Sequence, residues 1–338
     1  MIEQAKSIAH GASLPADVCV VGGGAAGISV ALALAGKGLS IVVLESGGLK
    51  PDAASQALSE GEVADEQLHS PPHRYRQRGL GGSTAIWGGR CMPLDPIDFE
   101  FREHVPGSGW PIGYGDLLPF YPAANALAEA GRFSYDAREA LPSAPPLIKG
   151  FASDVVCTEG LERFSCPTHF GKRYEKRLAL ASDIRVLLGA NCTAIRLDAT
   201  AGTVRELEVA TLAGNRFRVA PRTVVLAAGG LETARLLLCS NDVEPQGVGN
   251  RFDAVGRYYM CHIAGNVGTL TVAGGPDAVR HGYEVAADGV YCRRRLSITA
   301  AGQRRHHLLN AVARLHFPKI TDPSHRSGVL SGLFLSRR

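Results

Sequence analysis

The stretch Asp17–Gly27, with the sequence DVCVVGGGAAG, decides the fold of this chain. Its first six residues form an apolar run that is typical of a buried parallel strand. The Ala- and Leu-rich sequence that follows predicts a helix ending at Gly36 or Gly38. The next run, LSIVVLES, predicts a second buried strand ending at Glu45. Together they make a β-α-β unit of about 30 residues, which indicates a parallel sheet.

A Gly22-x-Gly24-x-x-Gly27 motif lies between the first strand and the helix. Gly22 allows a tight turn, Gly24 lets the backbone approach a pyrophosphate, and Gly27 lets helix and strand pack closely. A structural glycine turn is the alternative, but Glu45 stands where an acid hydrogen-bonds a ribose hydroxyl. An acid there disfavours the 2′-phosphate of NADP, so the pattern predicts a site for FAD or NAD, with phosphates at the helix N-terminus.

A second glycine-rich segment, Arg78–Arg90 with the sequence RGLGGSTAIWGGR, favours FAD over NAD. Its glycine pairs bracket Ser83, Thr84 and Trp87, so a backbone could lie along a flat ring system while hydroxyls reach polar atoms. A nicotinamide enzyme has no obvious need for such a segment. A mobile surface loop is the alternative interpretation.

The rest of the chain mixes both kinds of secondary structure. The sequence YGDLLPFYPAANALAEAG predicts a short helix with Asp116 near its start. From Ile184 onward, four strand-like runs follow one another, and the last, TVVLAAGG, opens into a helix, LETARLLLCS. Alternation of apolar and polar residues up to about Arg295 predicts antiparallel sheet, and a late helical stretch follows. We therefore expect an α/β fold.

Composition and charge exclude several functional classes. The 338 residues are 45% hydrophobic and 20% charged, which is ordinary for a globular protein with a sizeable core. The 36 Lys and Arg residues exceed the 32 Asp and Glu residues by four, and no basic run is long enough to predict nucleic-acid binding. We expect the triplet Arg293–Arg295 to be a solvated strand end.

Cysteine spacing and the N-terminal sequence bear on localisation. The eight cysteines form no C-x-x-C pair and no metal-ligand spacing, which predicts a reduced, cytoplasmic setting and no metal site. The N-terminal sequence lacks the basic flank and apolar stretch of a secretion signal. Because no apolar run reaches about 18 residues, we expect no membrane span.

Five motifs occur in the order found in bacterial glucose-methanol-choline (GMC) oxidoreductases: VGGGAAG with Glu45, GGSTAIWGG, PLDPIDFE, VVLAAGGLETARLLL and VGRYYMCH. The chain most resembles the branch related to pyranose oxidases and sugar dehydrogenases, over most of residues 17–338. The resemblance implies a Rossmann-type FAD-binding domain split into 1–110 and 184–258, and an incomplete antiparallel-sheet substrate domain of 111–183 and 259–338. It also implies oxidation of a CH–OH group of a sugar or other alcohol, with hydride transfer to flavin N5 and an unknown electron acceptor.

The resemblance also implies which residues contact FAD. Residues 81–84 would lie near the pyrophosphate and the flavin ring, the backbone at Cys192 would pass the adenine, and Ala228 and Gly229 would turn beneath the cofactor. Relatives with covalent FAD carry a histidine where this chain has Ile86, so the FAD should be bound noncovalently. The implied cofactor-binding residues are Gly22, Gly24, Ala26, Gly27, Glu45, Ser46, Gly81, Gly82, Ser83, Thr84, Trp87, Cys192, Ala228, Gly229 and Glu232.

No catalytic residue is predicted. In the family, the catalytic histidine and its His or Asn partner lie in a segment past the position that matches Arg338, so we expect this chain to stop before its catalytic end and to turn over slowly by itself. For His262 and the late histidines 306, 307 and 316, a structural role is the simpler interpretation. Three hypotheses stay open: a working flavin oxidoreductase, a truncated and inactive flavin-binding chain, and an NAD-dependent enzyme. Substitution of Glu45 is expected to weaken FAD binding and to change folding little.

Overall fold

The computed structural model describes residues 1–271, 273, 278–315 and 328–336. Within these residues the strands are β1 (Ile2–Gln4), β2 (Ser13–Val21), β3 (Ile41–Glu45), β4 (Arg90–Cys91), β5 (Val156–Cys157), β6 (Leu161–Phe164), β7 (Ile184–Leu188), β8 (Asn191–Leu197), β9 (Val204–Ala210), β10 (Arg216–Leu226), β11 (Glu284–Val285), β12 (Tyr291–Arg294), β13 (Leu296–Ile298) and β14 (Val312–Ala313). The helices are α1 (Ala25–Leu34), α2 (Ala53–Ala57), α3 (Tyr114–Leu117), α4 (Tyr121–Leu127), α5 (Ala137–Ala140), α6 (Phe170–Leu180), α7 (Gly230–Cys239), α8 (Ala300–His306) and α9 (Gly328–Leu335).

The chain folds into two units. Unit 1 comprises Met1–Gly89 and Pro167–Ile263, and unit 2 comprises Arg90–Cys166 and Ala264–Arg338. The domain boundaries that the sequence predicts lie instead after residues 110, 183 and 258. Helix α6 lies in unit 1 because it packs against α1 and β7.

Unit 1 is built on a sheet with the strand order β1-β7-β3-β2-β10-β9-β8. The strands from β1 to β10 in this order pair in parallel, whereas β9 pairs antiparallel with β10 and β8. All five residues of β3 and the last four of β2 are buried, as expected for strands covered on both faces. The predicted α/β fold is confirmed.

Helix α6 covers part of this sheet with one apolar face. Its buried residues Phe170, Tyr174 and Leu178 recur every four positions, which places them on the same side of the helix. Leu178 is 1% exposed and Tyr174 is 3% exposed. The burial of this face holds the N-terminus of α6 in a fixed position beside α1.

Unit 2 contains antiparallel sheets, as predicted for this part of the chain. One has the order β11-β12-β6-β4, and the other has the order β14-β13-β5. Leu161 and Cys292 on the first sheet are fully buried and pack against α5 residues. Helix α9 is apolar around its whole circumference, and Val329 and Leu335 are exposed.

The prediction of a solvated strand end at Arg293–Arg295 is wrong for its last two residues. Arg294 and Arg295 are 5% and 7% exposed. The physical reason is that β12 lies between β11 and β6, so neighbouring strands flank it on both edges. Arg294 is compensated by Glu284 at 3.0 Å and by the carbonyl oxygen of Pro145.

The prediction of a late helical stretch is wrong between His307 and Ala313. Helix α8 ends at His306, and His307 has a φ of +52°, a left-handed conformation that terminates the helix. Val312 and Ala313 then form β14, which pairs with β13. His316 lies outside the described residues.

Candidate functional site

The turn after β2 has room for a backbone and for no side chain at two of its glycines. Gly22 has a φ of +109°, and a Cβ atom there would lie 2.5 Å from the carbonyl oxygen of Ala227. A Cβ atom on Gly27 would lie 1.9 Å from the carbonyl oxygen of Gly22. Both residues therefore need to be glycine for the fold itself, in agreement with the tight turn and the close packing that the motif predicts.

Gly24 differs from these two glycines because nothing inside the protein requires it. Its φ of −78° suits any residue, and a Cβ atom would lie no closer than 3.9 Å to its neighbour, the Cα atom of Gly82. The absence of a side chain at Gly24 leaves an open approach to the first turn of α1. Among the described residues no side chain caps this turn, so its free N–H groups and the positive end of the helix dipole favour an anion.

The two glycine segments of the sequence lie side by side. The Gly81 N–H donates to the carbonyl oxygen of Gly23 at 2.8 Å, and Gly24 and Gly81 form a parallel bridge. A Cβ atom on Gly82 would lie 3.0 Å from the Cα atom of Gly24. We call the surface formed by residues 22–24 and 81–82 the glycine cradle. It is a strip of backbone without side chains.

The second segment is held in place by the start of α6. A Cβ atom on Gly171 would lie 1.9 Å from the carbonyl oxygen of Leu80, so this contact also depends on glycine. The Thr84 hydroxyl donates to the Gly81 carbonyl at 2.6 Å and accepts from the Phe170 N–H at 3.1 Å. The Trp87 indole donates to the carbonyl oxygen of Thr168 at 3.0 Å. Thr84 and Trp87 thus shape the cradle through protein contacts.

Glu45 joins the ends of three segments. Its carboxylate accepts hydrogen bonds from the N–H groups of Gly23 at 2.8 Å, Gly47 at 2.7 Å and Gly79 at 3.0 Å. The residue is 5% exposed. Burial raises the pKa of Glu45, while these three hydrogen bonds and the charge of Arg78 oppose that shift.

Glu232 lies in the first turn of α7 and is surrounded by arginines. Its carboxylate pairs with Arg76 at 2.8 Å, Arg78 at 3.0 Å and Arg235 at 3.0 Å. Burial alone would raise the pKa of Glu232, but the three arginines outweigh it and lower the pKa. Arg78 also donates to the Ser46 hydroxyl at 2.9 Å. Sequence reasoning assigned no role to Arg76 or Arg78, although Arg78 is the first residue of the second glycine segment.

A second helix N-terminus lies next to that of α1. Val21 at the end of β2 pairs with Leu226 at the end of β10, so α1 and α7 begin at the same edge of the sheet. Gly229 precedes α7 with a φ of +82° and no side-chain cap. The Cα atom of Ala228 lies 2.9 Å from the position of a Cβ atom on Gly22. The structure thus brings Gly22, Ala228 and Gly229 together.

The other predicted contact residues lie nearby or face outward. Cys192 is the second residue of β8 and lies two residues after Ala190, whose N–H donates to the Glu45 carbonyl at 2.9 Å. Burial raises the pKa of the Cys192 thiol to about 12, so it behaves as a small hydrophobic residue. Ala26, Ser83 and Ile86 are exposed.

Among the described histidines, His169 lies nearest the cradle, and sequence reasoning missed it. A Cβ atom on Gly81 would lie 2.9 Å from the imidazole of His169. The imidazole caps α6 by accepting from the Lys172 N–H at 3.3 Å. His262 is exposed, and His307 stacks on His104 with ring centroids 5.1 Å apart. The signal that could have identified His169 as a cap is its position directly before Phe170, Tyr174 and Leu178, which recur at helical spacing.

Among the described residues, no three His, Cys, Asp or Glu side chains come together as a metal site would require. None of their helices has the length and apolar character needed to cross a bilayer.

Comparison with known proteins identifies relatives for most of the chain. A family model described as FAD dependent oxidoreductase matches residues 17–327. The chain is 30% identical to 6'''-hydroxyparomomycin C oxidase of Streptomyces lividus, over 71% of this chain and 53% of that protein. It is 26% identical to the fructose dehydrogenase large subunit of Gluconobacter japonicus, over 74% of this chain and 59% of that protein. The chain thus spans little more than half the length of these curated relatives.

Solved structures with a similar course of the chain include pyridoxine 4-oxidase from Mesorbium loti and a formate oxidase. The first is 22% identical with a TM-score of 0.43, covering 67% of this chain and 52% of that one. The second is 18% identical with a TM-score of 0.43, covering 69% of this chain and 48% of that one.

Proposed function

The chain belongs to the FAD-dependent oxidoreductase family, and from this premise we propose that it is a GMC-type flavoprotein that binds FAD noncovalently at the glycine cradle. We further propose that the protein oxidises a CH–OH group of a sugar or related alcohol. The family membership makes FAD the cofactor and removes support from the NAD-dependent alternative. The residue assignments below are part of the proposal.

The observation that carries the proposal is the glycine cradle itself. A Cβ atom on Gly82 would lie 3.0 Å from the Cα atom of Gly24, yet no described neighbour requires Gly24 to lack a side chain. An open backbone strip beside two helix N-termini suits a pyrophosphate, which needs close N–H donors and a positive dipole end. Gly22 and Gly27 support the same surface from below.

Glu45 has capacity left for a ribose hydroxyl. A carboxylate has about four acceptor positions on its two oxygens. Gly47 and Gly79 occupy Oε1, and Gly23 occupies one position on Oε2. We assign the remaining Oε2 position to a hydroxyl of the adenosine ribose, a charge-assisted hydrogen bond.

The chemistry that FAD supplies when bound is acceptance of a hydride at N5 from an alcohol carbon. The residues of this chain hold and orient the cofactor for that step. Ser83 is exposed, and its hydroxyl oxygen accepts from the Gln77 N–H at 3.3 Å. We assign its hydroxyl proton to a hydrogen bond with the cofactor. We assign no catalytic base among the described residues, and Ile86 leaves no nucleophile at the position of covalent attachment.

The names of the relatives support the proposed substrate class. Two of them are named for aminoglycoside compounds, hydroxyparomomycin C and paromamine, and one for fructose. Because these are polyhydroxylated compounds, we propose a sugar or aminocyclitol-type alcohol as the substrate of the whole protein.

A single substitution can test cofactor binding at the cradle. In Gly24→Ala the added methyl group fits the protein but occupies the approach of the pyrophosphate. We expect FAD affinity to fall at least about tenfold, or about 1.4 kcal/mol, with little change in thermal stability. Flavin fluorescence titration and circular dichroism measure the two quantities.

The matched control is Gly61→Ala. The new Cβ atom would lie 3.7 Å from Pro72, an ordinary van der Waals contact, and Gly61 belongs to neither glycine segment. It should bind FAD like the parent. Equal FAD affinity in the parent and in Gly24→Ala would refute the cradle as the cofactor site.

Acid denaturation of the loaded parent should release free flavin, and colour retained by the precipitate would contradict noncovalent binding.

A further inference from the structure

One face of the antiparallel sheet in unit 2 collects positive charge. Glu162 of β6 pairs in register with Arg293 of β12, and Phe164 pairs with Arg90 of β4. Residues two apart on a strand share a face, and directly paired residues do too. Arg90, Glu162, Phe164 and Arg293 therefore lie on the same face of this sheet.

Glu162 is the acid at the centre of this face, and its carboxylate already interacts with two arginines. It is 1% exposed, and its carboxylate contacts the Arg90 guanidinium at 3.6 Å and the Arg314 guanidinium at 2.9 Å. Arg90 is about half exposed, so the face opens to solvent on that side. A single buried carboxylate thus serves two arginines.

Arg293 and Arg295 lack such compensation. Neither forms an ion pair with a described residue, although the Nη2 atom of Arg293 donates to the carbonyl oxygen of Leu315 at 2.6 Å. The Nε atom of each is buried without a described hydrogen-bond partner. Arg295 is 7% exposed, and its Nη1 atom meets the sulfur of Met92 at 2.9 Å, a weak acceptor. A buried donor left without a partner is costly and calls for an explanation.

The local charge balance is positive. Burial lowers the pKa of Arg295, and the carboxylates of Asp95 and Glu162 oppose that shift without pairing directly with its guanidinium. Together Arg90, Arg293, Arg295 and Arg314 bring four positive charges against two negative ones, an excess of two.

We propose that this surface, the arginine face of Arg90, Arg293, Arg295 and Arg314, is a binding site for a small molecule that bears a carboxylate or phosphate group. A planar guanidinium presents paired donors that match the oxygens of either anion. Such an anion would bind to the guanidinium groups from the side that Arg90 leaves open to solvent and would offset the excess positive charge. All four arginines belong to unit 2.

Aromatic side chains prepare the face for such a ligand. The Arg293 guanidinium lies over the ring of Tyr283 at 5.6 Å from its centroid, and Phe164 packs against Tyr283 at 5.1 Å. This stacking restricts the orientation of Arg293 before a ligand arrives. The same rings offer an apolar wall for the carbon skeleton of the ligand.

Calorimetric titration of the full chain at low salt tests the proposal. The probes are D-gluconate for the carboxylate, inorganic phosphate for the phosphate, and D-gluconamide, the uncharged amide of gluconate, as the comparison. We expect one anion or both to bind and gluconamide to bind at least about tenfold more weakly than the preferred anion, and the anion with the higher affinity identifies the preferred group. Arg295→Met and Arg90→Gln should each weaken that binding at least about tenfold.

The matched control is Arg102→Met. Arg102 also has a buried Nε atom without a described partner, but its Nη1 atom bonds Gln303 at 3.1 Å and it lies outside the arginine face. This variant should bind the anion like the parent. Circular dichroism shows whether Arg295→Met folds. If it does not fold, the affinity of Arg90→Gln for the anion decides, because Arg90 is half exposed and its substitution should leave the fold intact. The proposal is overturned if neither anion saturates the protein, if both arginine-face variants bind like the parent, or if Arg102→Met weakens binding equally. None of these measurements needs FAD or turnover, so the result is separate from the fate of the proposed oxidation.

Discussion

At the scale of single residues, Glu45 combines two tasks. The sequence motif predicts a ribose contact, and the structure adds three buried backbone N–H groups that depend on the same carboxylate. These groups belong to the first glycine turn, the end of β3 and the second glycine segment. Glu45 therefore links the parts of the cradle as well as offering an acceptor to the cofactor.

Substitution of Glu45 should accordingly damage both binding and folding. In Glu45→Ala the three N–H groups lose their acceptor inside the protein, and we expect a loss of at least about 2 kcal/mol in the free energy of unfolding. FAD binding should weaken by about 1.5–3 kcal/mol from loss of a charged hydrogen bond. Urea denaturation of the apoprotein and fluorescence titration measure the two effects.

This outcome differs from the expectation, based on sequence alone, that folding would change little. Glu66→Ala, which removes an exposed acid in a loop of the same unit, is the control and should match the parent in both assays. Parent-like urea stability in Glu45→Ala would show that the carboxylate does not hold the three segments together.

At the scale of elements, the N-terminus of α6 supports the second glycine segment. Its capping residue, His169, touches Gly81, and the following Gly171 contacts Leu80. A histidine caps a helix only when its acceptor nitrogen carries no proton. The position of the cradle therefore depends on the protonation of an imidazole.

The stability of this junction should depend on pH in a defined direction. Burial and the charge of Lys172 lower the pKa of His169 below its usual value of 6.5. As pH falls, the unfolded chain takes up the proton first, so the contribution of His169 is complete above about pH 6.5 and is lost as pH falls toward the lower folded-state pKa. His169→Asn keeps a capping acceptor and does not titrate. Urea denaturation between about pH 7.5 and about pH 5 should show a steeper loss in the parent than in His169→Asn, and identical slopes would contradict the assignment.

The elements that sequence predicted best are those with a strong local pattern. The β-α-β unit around Gly22 and the strand-turn-helix unit at Gly229 combine an apolar run, a glycine turn and a helix, and each signal lies within a few residues. The contact between Gly81 and α6 was not predictable in this way. It joins segments that no local periodicity connects, and its glycines look from sequence like an ordinary loop.

Arg293–Arg295 shows the opposite failure. A run of charges normally marks a solvated face, and that tendency outweighed the strand pattern in the sequence analysis. The burial of Arg294 and Arg295 depends on the pairing of β12 with β6 and β11. Because β6 lies more than a hundred residues before β12 in the chain, no local sequence pattern shows this pairing. Tertiary pairing decided the environment of these side chains.

At the scale of the whole molecule, the two units should respond to different ligands. FAD at the cradle should slow amide hydrogen exchange mainly in peptides covering residues 20–28 and 79–84 of unit 1. Gluconate or phosphate should instead protect peptides of unit 2 that cover β6 and β12, because the arginine face lies there. Exchange measured by mass spectrometry with each ligand separately checks both. Protection by FAD that is strongest in β6 and β12 would contradict the assignment of the cradle to unit 1.

The pairing of β2 with β10 has a consequence for folding during synthesis on the ribosome. Ser13 of β2 lies opposite Arg218 of β10, a separation of 205 residues along the chain. At a synthesis rate of about 5–20 residues per second, β2 emerges from the ribosome roughly 10–40 s before β10 can pair with it. During that interval the apolar edge of β2 is open to other strands. Translation speed and chaperone supply in the producing cell should therefore affect the yield of folded protein more than the stability of the finished sheet does.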